Sequence, residues 1–167
     1  MDHYRIYLSG PIWGRTYSEA TEWRNEVFEI LADYAEVLDP MRDRHIAPGA
    51  SEDEPILSAL TSEDSTLATD RGIVARDYYD TITSNLLIIN LLGAEKVSTG
   101  TVSEMAWAYH LRIPMIVIIE PTGNPHDHAF IREMTSYRVD NIERAIRVAK
   151  SLMGVPEVEP FAWPTLD

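Results

Sequence analysis

The chain has no cysteine among its 167 residues. This excludes disulfides, iron–sulfur clusters, thiolate zinc sites and cysteine nucleophiles. Long apolar runs are also missing: the longest uncharged stretch, Thr81 to Ala94, has 14 residues, whereas a bilayer-spanning helix needs about 20. The first residues, Met-Asp-His-Tyr-Arg, lack the apolar segment of a signal peptide. We therefore expect a soluble, cytoplasmic protein.

Basic residues are scarce. Lysine and arginine number 14 against 27 acidic residues, so the formal net charge is −13. Such a charge repels a phosphate backbone and an anionic membrane surface. The composition therefore favours a small-molecule partner over polymeric nucleic acid or a membrane.

Several nucleotide and hydrolase motifs are absent as well. The chain has no glycine-rich dinucleotide fingerprint, no Walker loop and no Gly-x-Ser-x-Gly elbow, which disfavours hydride transfer, NTP hydrolysis and α/β-hydrolase chemistry. His126 and His128 flank Asp127, but two histidines and a carboxylate in a loop are commonly polar surface. We expect neither a cofactor nor a metal.

The remaining composition is that of one folded domain, which we expect to span residues 1–167. Apolar strand patterns alternate with helical ones, and the run Asn85 to Leu92 is apolar on both faces, as in a central parallel strand. Alternating strands and helices imply right-handed crossovers. The expected fold is therefore α/β: a flavodoxin-like, doubly wound parallel sheet of about five strands with helices on both faces.

Several element boundaries follow from local signals. Thr16 and Glu19 have the spacing of a capping box, Asp140 is a plausible cap for the last helix, and Met134 to Val139 is a candidate last strand. From 41 to about 70 the periodicity fails, which predicts an irregular loop, such as a lid or binding loop.

The segment Ser98-Thr-Gly-Thr-Val-Ser-Glu104 places small residues at the mouth of a helix, where free amides and the helix dipole attract anions. Glu104 follows Thr101 by three residues, so it is either the acidic half of a capping box or an ionised nucleophile facing the crevice. Spacing leaves both interpretations open.

Asp77 precedes the central strand. A carboxyl facing Glu104 acts as a proton donor if its pKa is raised, and two carboxyls of unlike pKa about 5 Å apart cleave glycosidic bonds with retention. The alternative is a solvated helix acid paired with Arg76. Near the first turn, Tyr7 and Trp13 are either core aromatics or a surface for stacking a heterocycle.

Several fragments in this order resemble the nucleoside 2-deoxyribosyltransferase family, from about Tyr4 to Met153. They are Ile6-Tyr-Leu-Ser-Gly-Pro-Ile-Trp13, Val37-Leu-Asp-Pro40, Arg76-Asp77, Ser84-Asn-Leu-Leu-Ile-Ile89 and Ser98-Thr-Gly-Thr-Val-Ser-Glu-Met-Ala-Trp-Ala108.

The resemblance implies a mechanism. The glutamate at the position of Glu104 attacks C1′ of deoxyribose to form a covalent glycosyl-enzyme, the aspartate matching Asp77 handles the proton of the departing base, and another nucleobase or water takes the sugar. The turn after the first strand lines the base pocket, which suits Tyr7, Gly10, Pro11 and Trp13.

The resemblance also implies a homo-oligomer in which a neighbouring subunit completes the site, with the loop His126 to Met134 as the candidate contribution, Met134 included.

Ser98 stands where transferases of free nucleosides often have an aspartate. Related 2′-deoxynucleoside 5′-monophosphate N-hydrolases have a serine there, and the hydroxyls and helix-end amides of Ser98, Gly100 and Thr101 suit a phosphate. The leading hypothesis is deoxyribosyl transfer between nucleobases. The alternatives are hydrolysis of a deoxynucleoside monophosphate and a nucleotide-binding sensor without turnover.

Overall fold

The computed structural model describes residues 4–56, 60–62 and 66–156. Five strands form one sheet: Arg5–Ser9 (β1), Glu36–Leu38 (β2), Leu86–Asn90 (β5), Met115–Ile118 (β6) and Tyr137–Val139 (β7). Their order in the sheet is β2-β1-β5-β6-β7, and each neighbouring pair is parallel. The predicted doubly wound α/β fold is confirmed.

Helices cover both faces of this sheet. They are Tyr17–Leu31 (α1), Asp70–Thr83 (α2), Thr99–His110 (α3), Ala129–Met134 (α4) and Ile142–Leu152 (α5). Val27 of α1 and Ala145 of α5 pack on one face in a cluster with Ile6 and Ile88. Met105 of α3 packs on the other face with Tyr7. Because successive strand residues point to opposite faces, Tyr7 is directed towards α3.

Local signals placed some boundaries correctly. Thr16 caps α1 and forms the expected capping box with Glu19. The cap of α5 is Asn141 rather than the predicted Asp140. Met134 ends a short helix, α4, so the last strand begins only at Tyr137 and not at Met134.

The segment from 41 to 70 differs from the predicted irregular loop because it contains two paired strands. Arg44–Ile46 (β3) and Leu60–Ser62 (β4) form a separate antiparallel sheet. Ile56 is fully buried, and its amide donates to the Arg15 carbonyl at 2.9 Å, which attaches this segment to the turn after β1. Parts of the predicted loop, 57–59 and 63–65, lie outside the described residues, as do residues 1–3 and 157–167 of the predicted single domain.

None of the helices in the described residues is long and apolar enough to cross a bilayer.

Candidate active site

The candidate site lies at the topological switch point of the sheet, between β1 and β5. The chain passes from β1 to β2 on one side, and the later strands extend from β5 on the other, so the carboxyl ends of β1 and β5 form the crevice in which doubly wound folds bind ligands. Gly10 follows β1 directly, and a Cβ placed on it would lie 2.6 Å from the carbonyl oxygen of Asn90 at the end of β5. Glycine is therefore required where the turn crosses the neighbouring strand.

Glu104 lies on α3 with its side chain buried under β1. The hydroxyl of Tyr7 donates to Oε1 at 3.1 Å, and the hydroxyl of Ser9 donates to Oε2. The cap of α3 is Ser98, whose side chain accepts from the Thr101 amide. The capping-box interpretation of Glu104 with Thr101 is therefore wrong, because the carboxylate is directed at β1 and not at the helix start.

Burial raises the pKa of Glu104 to about 7, an effect to which the charge of Asp77 adds. The hydrogen bonds from Ser9 and Tyr7 stabilise the carboxylate and lower the same pKa. Burial and the nearby Glu104 carboxylate raise the pKa of Tyr7 well above its ordinary value, so Tyr7 is a neutral donor. Near neutral pH, Glu104 is present in both its ionised and protonated forms.

Asp77 lies on α2, close enough to Glu104 for its charge to raise the pKa of that residue. Its Oδ1 accepts from both Nε and Nη2 of Arg76 at 3.2 Å, and Arg76 is itself held by the carbonyl of Pro40 at 2.7 Å. Burial raises the pKa of Asp77, and the Arg76 guanidinium partly opposes this rise. The ion pair between Asp77 and Arg76, one of the two interpretations from the sequence, is thus present. Asp77 also interacts electrostatically with the carboxyl of Glu104.

A pocket of about 470 Å³ opens between the turn after β1 and the start of α3. Pro11, Trp13, Ser98 and Gly100 line it, and Trp13 is 75% exposed. Its basic side chains are Arg15 and Lys96; the full lining is Pro11, Trp13, Gly14, Arg15, Glu19, Ala94, Glu95, Lys96, Val97, Ser98, Thr99 and Gly100.

Gly100 connects this pocket to Glu104. Residues four apart on a helix lie on the same face, one turn from each other. A Cβ built on Gly100 would meet no atom within 4 Å, so the space next to this helix turn is open. Glu104 itself does not line the pocket but lies one turn further along the helix.

Four of the predicted substrate-binding residues do not line this pocket: Tyr7, Gly10, Thr101 and Met134. Tyr7 is fully buried in the core and contacts Glu104, so it is a core aromatic and not a surface for stacking a heterocycle. Thr101 is buried and donates its hydroxyl to Ser98 Oγ at 3.0 Å, so it supports the cap of α3 and does not line the pocket. Met134 borders a different pocket, of about 630 Å³, together with Tyr109 and Arg112. Its predicted role requires a second subunit and stays a prediction.

Sequence reasoning missed two supporting residues. One is Ser9, which binds Glu104. The other is Arg24, which is fully buried, donates to the Gly10 carbonyl at 3.1 Å and pairs with Asp39 at 3.3 Å. An arginine within the apolar stripe of α1, next to Trp23 and three residues before Val27, was the available signal.

In the part of the chain that the structure describes, no group of three or more histidine, aspartate or glutamate side chains is placed to hold a metal ion.

Comparison with solved structures identifies several chains of the same fold. A conserved protein from Enterococcus faecalis V583 has 16% identity and a TM-score of 0.62, with 90% of this chain and 99% of that chain covered. A CMP N-glycosidase from Clostridium botulinum has 14% identity and a TM-score of 0.56, with 89% and 98% covered. A Moco carrier protein from Chlamydomonas reinhardtii has 16% identity and a TM-score of 0.58, with 91% and 98% covered. At these identities the likeness concerns the fold alone.

A comparison with curated proteins finds no match. The model of the nucleoside 2-deoxyribosyltransferase family matches residues 6–145, which is most of the chain and includes Tyr7, Asp77 and Glu104. The chain therefore belongs to the nucleoside 2-deoxyribosyltransferase family.

Proposed function

We propose that this protein cleaves the N-glycosidic bond of a 2′-deoxynucleoside through a covalent glycosyl-enzyme and transfers the deoxyribose to another nucleobase. The observation that carries the proposal is the Glu104 carboxylate, buried at the crevice with one hydroxyl donor on each oxygen and a second carboxyl, Asp77, within electrostatic reach. Two such carboxyls are the machinery of a retaining glycosyl transfer.

Glu104 is the proposed nucleophile. Its ionised carboxylate attacks C1′, a C1′–O bond forms, and the C1′–N bond breaks with its electron pair passing to the base. Tyr7 and Ser9 hold the carboxylate in one orientation, which favours an attack along a fixed line. Gly100 leaves space beside the same face of α3 for the pentose.

Asp77 is the proposed proton carrier. Because burial raises its pKa, its protonated form is more accessible than that of an exposed aspartate, and it donates this proton to the departing base. In the second half-reaction a nitrogen of the incoming base attacks C1′, the bond to Glu104 breaks, and Asp77 takes the proton from that base. The protein returns to its starting state.

A second candidate is hydrolysis of a deoxynucleoside 5′-monophosphate. Arg15 and Lys96 face the pocket that Ser98 and Gly100 also line, and basic groups beside a helix start suit a phosphate. The CMP N-glycosidase of similar fold acts on a nucleotide according to its name. The net charge of −13 disfavours a dianionic substrate.

A third candidate is binding without turnover, as the carrier protein of the same fold suggests. The presence of both carboxyls, one buried between two hydroxyl donors, argues against it, since a carrier has no need of a nucleophile.

Product analysis distinguishes the three candidates. Each of a panel of 2′-deoxynucleosides and their 5′-monophosphates is incubated with the protein, with and without a second nucleobase. A new nucleoside supports transfer, free deoxyribose 5-phosphate from a nucleotide supports hydrolysis, and binding without base release supports a carrier.

The role of Glu104 is tested by the variant Glu104→Gln. The control is the same substitution at an exposed position of α1, Glu29→Gln. The proposal predicts that base release is lost in the first variant and unchanged in the second. Full activity of Glu104→Gln would contradict the assignment of the nucleophile.

A further inference from the structure

We propose that His126 is a positioning residue for the substrate pocket: its neutral imidazole fixes the loop that lines the pocket by accepting a hydrogen bond from the backbone at the start of α3. The proposal rests on the proposed function only for its kinetic test. His126 belongs to the His-Asp-His segment that the sequence offered as a weak metal motif, and the catalytic scheme does not use it.

The position of His126 in the structure is unusual for a loop histidine. Its side chain is 1% exposed, and its Nε2 accepts from the backbone N–H of Ser98 at 2.8 Å. Ser98 caps α3 and lines the pocket. His126, in the loop after β6, thus fixes the position of Ser98, where the loop after β5 ends and α3 begins.

The protonation state of the ring follows from its neighbours. Asn124 donates from Nδ2 to the carbonyl of Leu91 at 2.7 Å and to Oε2 of Glu120 at 2.6 Å, so its Oδ1 is directed the other way, towards His126. That oxygen lies 3.1 Å from Nδ1 of the ring. Nδ1 therefore carries the proton, and Nε2 is free to accept from Ser98.

Burial lowers the pKa of His126, although the charge of Glu120 opposes this effect. The ring is neutral because its Nε2 accepts the hydrogen bond from the Ser98 N–H, which a protonated nitrogen cannot do.

The same network holds the other end of the pocket loop. Oε1 of Glu120 accepts from the backbone N–H of Gly93 at 2.6 Å. The residues that line the pocket between these two points, 94–97, are thus attached at Gly93 by Glu120 and at Ser98 by His126. One loop after β6 fixes both ends of the loop after β5.

This arrangement predicts an effect on binding rather than on the chemical step. Glu104 receives its hydrogen bonds from Tyr7 and Ser9 on β1, whereas the His126 ring interacts with Ser98 and Asn124. Loss of His126 releases the pocket loop while the nucleophile keeps its donors. A change that weakens ground-state and transition-state binding equally raises KM and leaves kcat unchanged.

Three variants test this effect with the substrate that turns over fastest in the panel above. His126→Ala should raise KM about tenfold, the loss expected for one buried hydrogen bond, with kcat changed by less than about twofold. His126→Gln can place an amide oxygen near the position of Nε2 and should restore most of the affinity.

Asn141→Ala is the matched control. The Asn141 side chain also accepts from a backbone amide at a helix start, that of Arg144 at 2.9 Å, but on α5 and not at the pocket. It should destabilise the protein to a similar extent without raising KM.

A measurement without substrate keeps this proposal separate from the proposed function. The ¹⁵N shifts of the imidazole should show the neutral form protonated at Nδ1, and the Ser98 amide should exchange with deuterium faster in His126→Ala and regain protection in His126→Gln. If no member of the panel turns over, the proposed function fails while these spectra still decide the role of His126.

An Nε2-protonated or charged ring, or unchanged exchange of the Ser98 amide in His126→Ala, would overturn the proposal. So would an equal rise in KM in Asn141→Ala, or a fall in kcat without a change in KM.

Discussion

Replacing Glu104 by glutamine should make the protein more stable at high pH. Burial raises the pKa of Glu104 to about 7 from an ordinary value of 4.5, so the folded state binds this proton more tightly than the unfolded state does. The contribution of Glu104 to stability is therefore most favourable below pH 4.5 and is lost as the pH rises towards 7 and above. The difference between a pKa of 4.5 in the unfolded state and a pKa of about 7 in the folded state corresponds to about 3 kcal/mol in the free energy of unfolding.

Glutamine is neutral at every pH, and the hydroxyls of Tyr7 and Ser9 can exchange hydrogen bonds with its amide. Urea unfolding of both proteins at pH 5 and pH 9 measures the difference. We expect the variant to be more stable than the natural protein by only about 1 kcal/mol at pH 5, and by about 3 kcal/mol at pH 9. The variant Glu29→Gln should show no such dependence. If the free energies of unfolding of Glu104→Gln and the natural protein differ by the same amount at both pH values, the raised pKa of a buried Glu104 carboxyl is refuted.

Three further outcomes follow from the same site. On the proposal that the ionised Glu104 carboxylate acts as the nucleophile, kcat/KM should rise with pH through about 7. Tyr7→Phe removes a hydrogen bond that lowers the pKa of Glu104 and should move this rise to higher pH in a pH–rate profile. Gly100→Leu fills the open space beside α3 and should abolish turnover while thermal unfolding shows a folded protein, whereas unchanged turnover would mean that the substrate does not enter there. Gly10→Ala places a methyl group 2.6 Å from the Asn90 carbonyl and should cost about 1–3 kcal/mol in urea unfolding, and an unaltered midpoint would contradict the close approach of the turn to β5.

The sheet could be predicted because its signals are local. The first four residues of Leu86–Asn90 are apolar at consecutive positions, as in a strand covered on both faces. Thr16 with Glu19 specifies one helix start. By contrast, α4 has six residues, too few for a helical period to be distinguished from a loop, and the pairing of β3 with β4 depends on contacts that no local pattern records.

The candidate site was predictable only in part, for a physical reason. Ser98, Thr101 and Glu104 are spaced by three residues. The sequence is therefore compatible with a helix cap at Ser98 and with a capping box formed by Thr101 and Glu104. The choice between them depends on Tyr7 and Ser9, which are nearly a hundred positions away and attract the Glu104 carboxylate to β1.

Buried polar side chains were the main omission. The sequence assigned no role to the hydrogen bond of Arg24 to the Gly10 carbonyl or to that of His126 with the Ser98 amide. Burial of a polar side chain is a tertiary property, so a sequence reveals the residue type but not its partner.

The mass of the intact protein after mixing with deoxynucleosides, and with their monophosphates in parallel, tests the covalent step directly. The proposed chemistry predicts a mass increase of one deoxyribosyl group, located on Glu104 by peptide mapping, absent in Glu104→Gln and removed by an added nucleobase. Base release without an adduct, or an adduct on another residue, would contradict it.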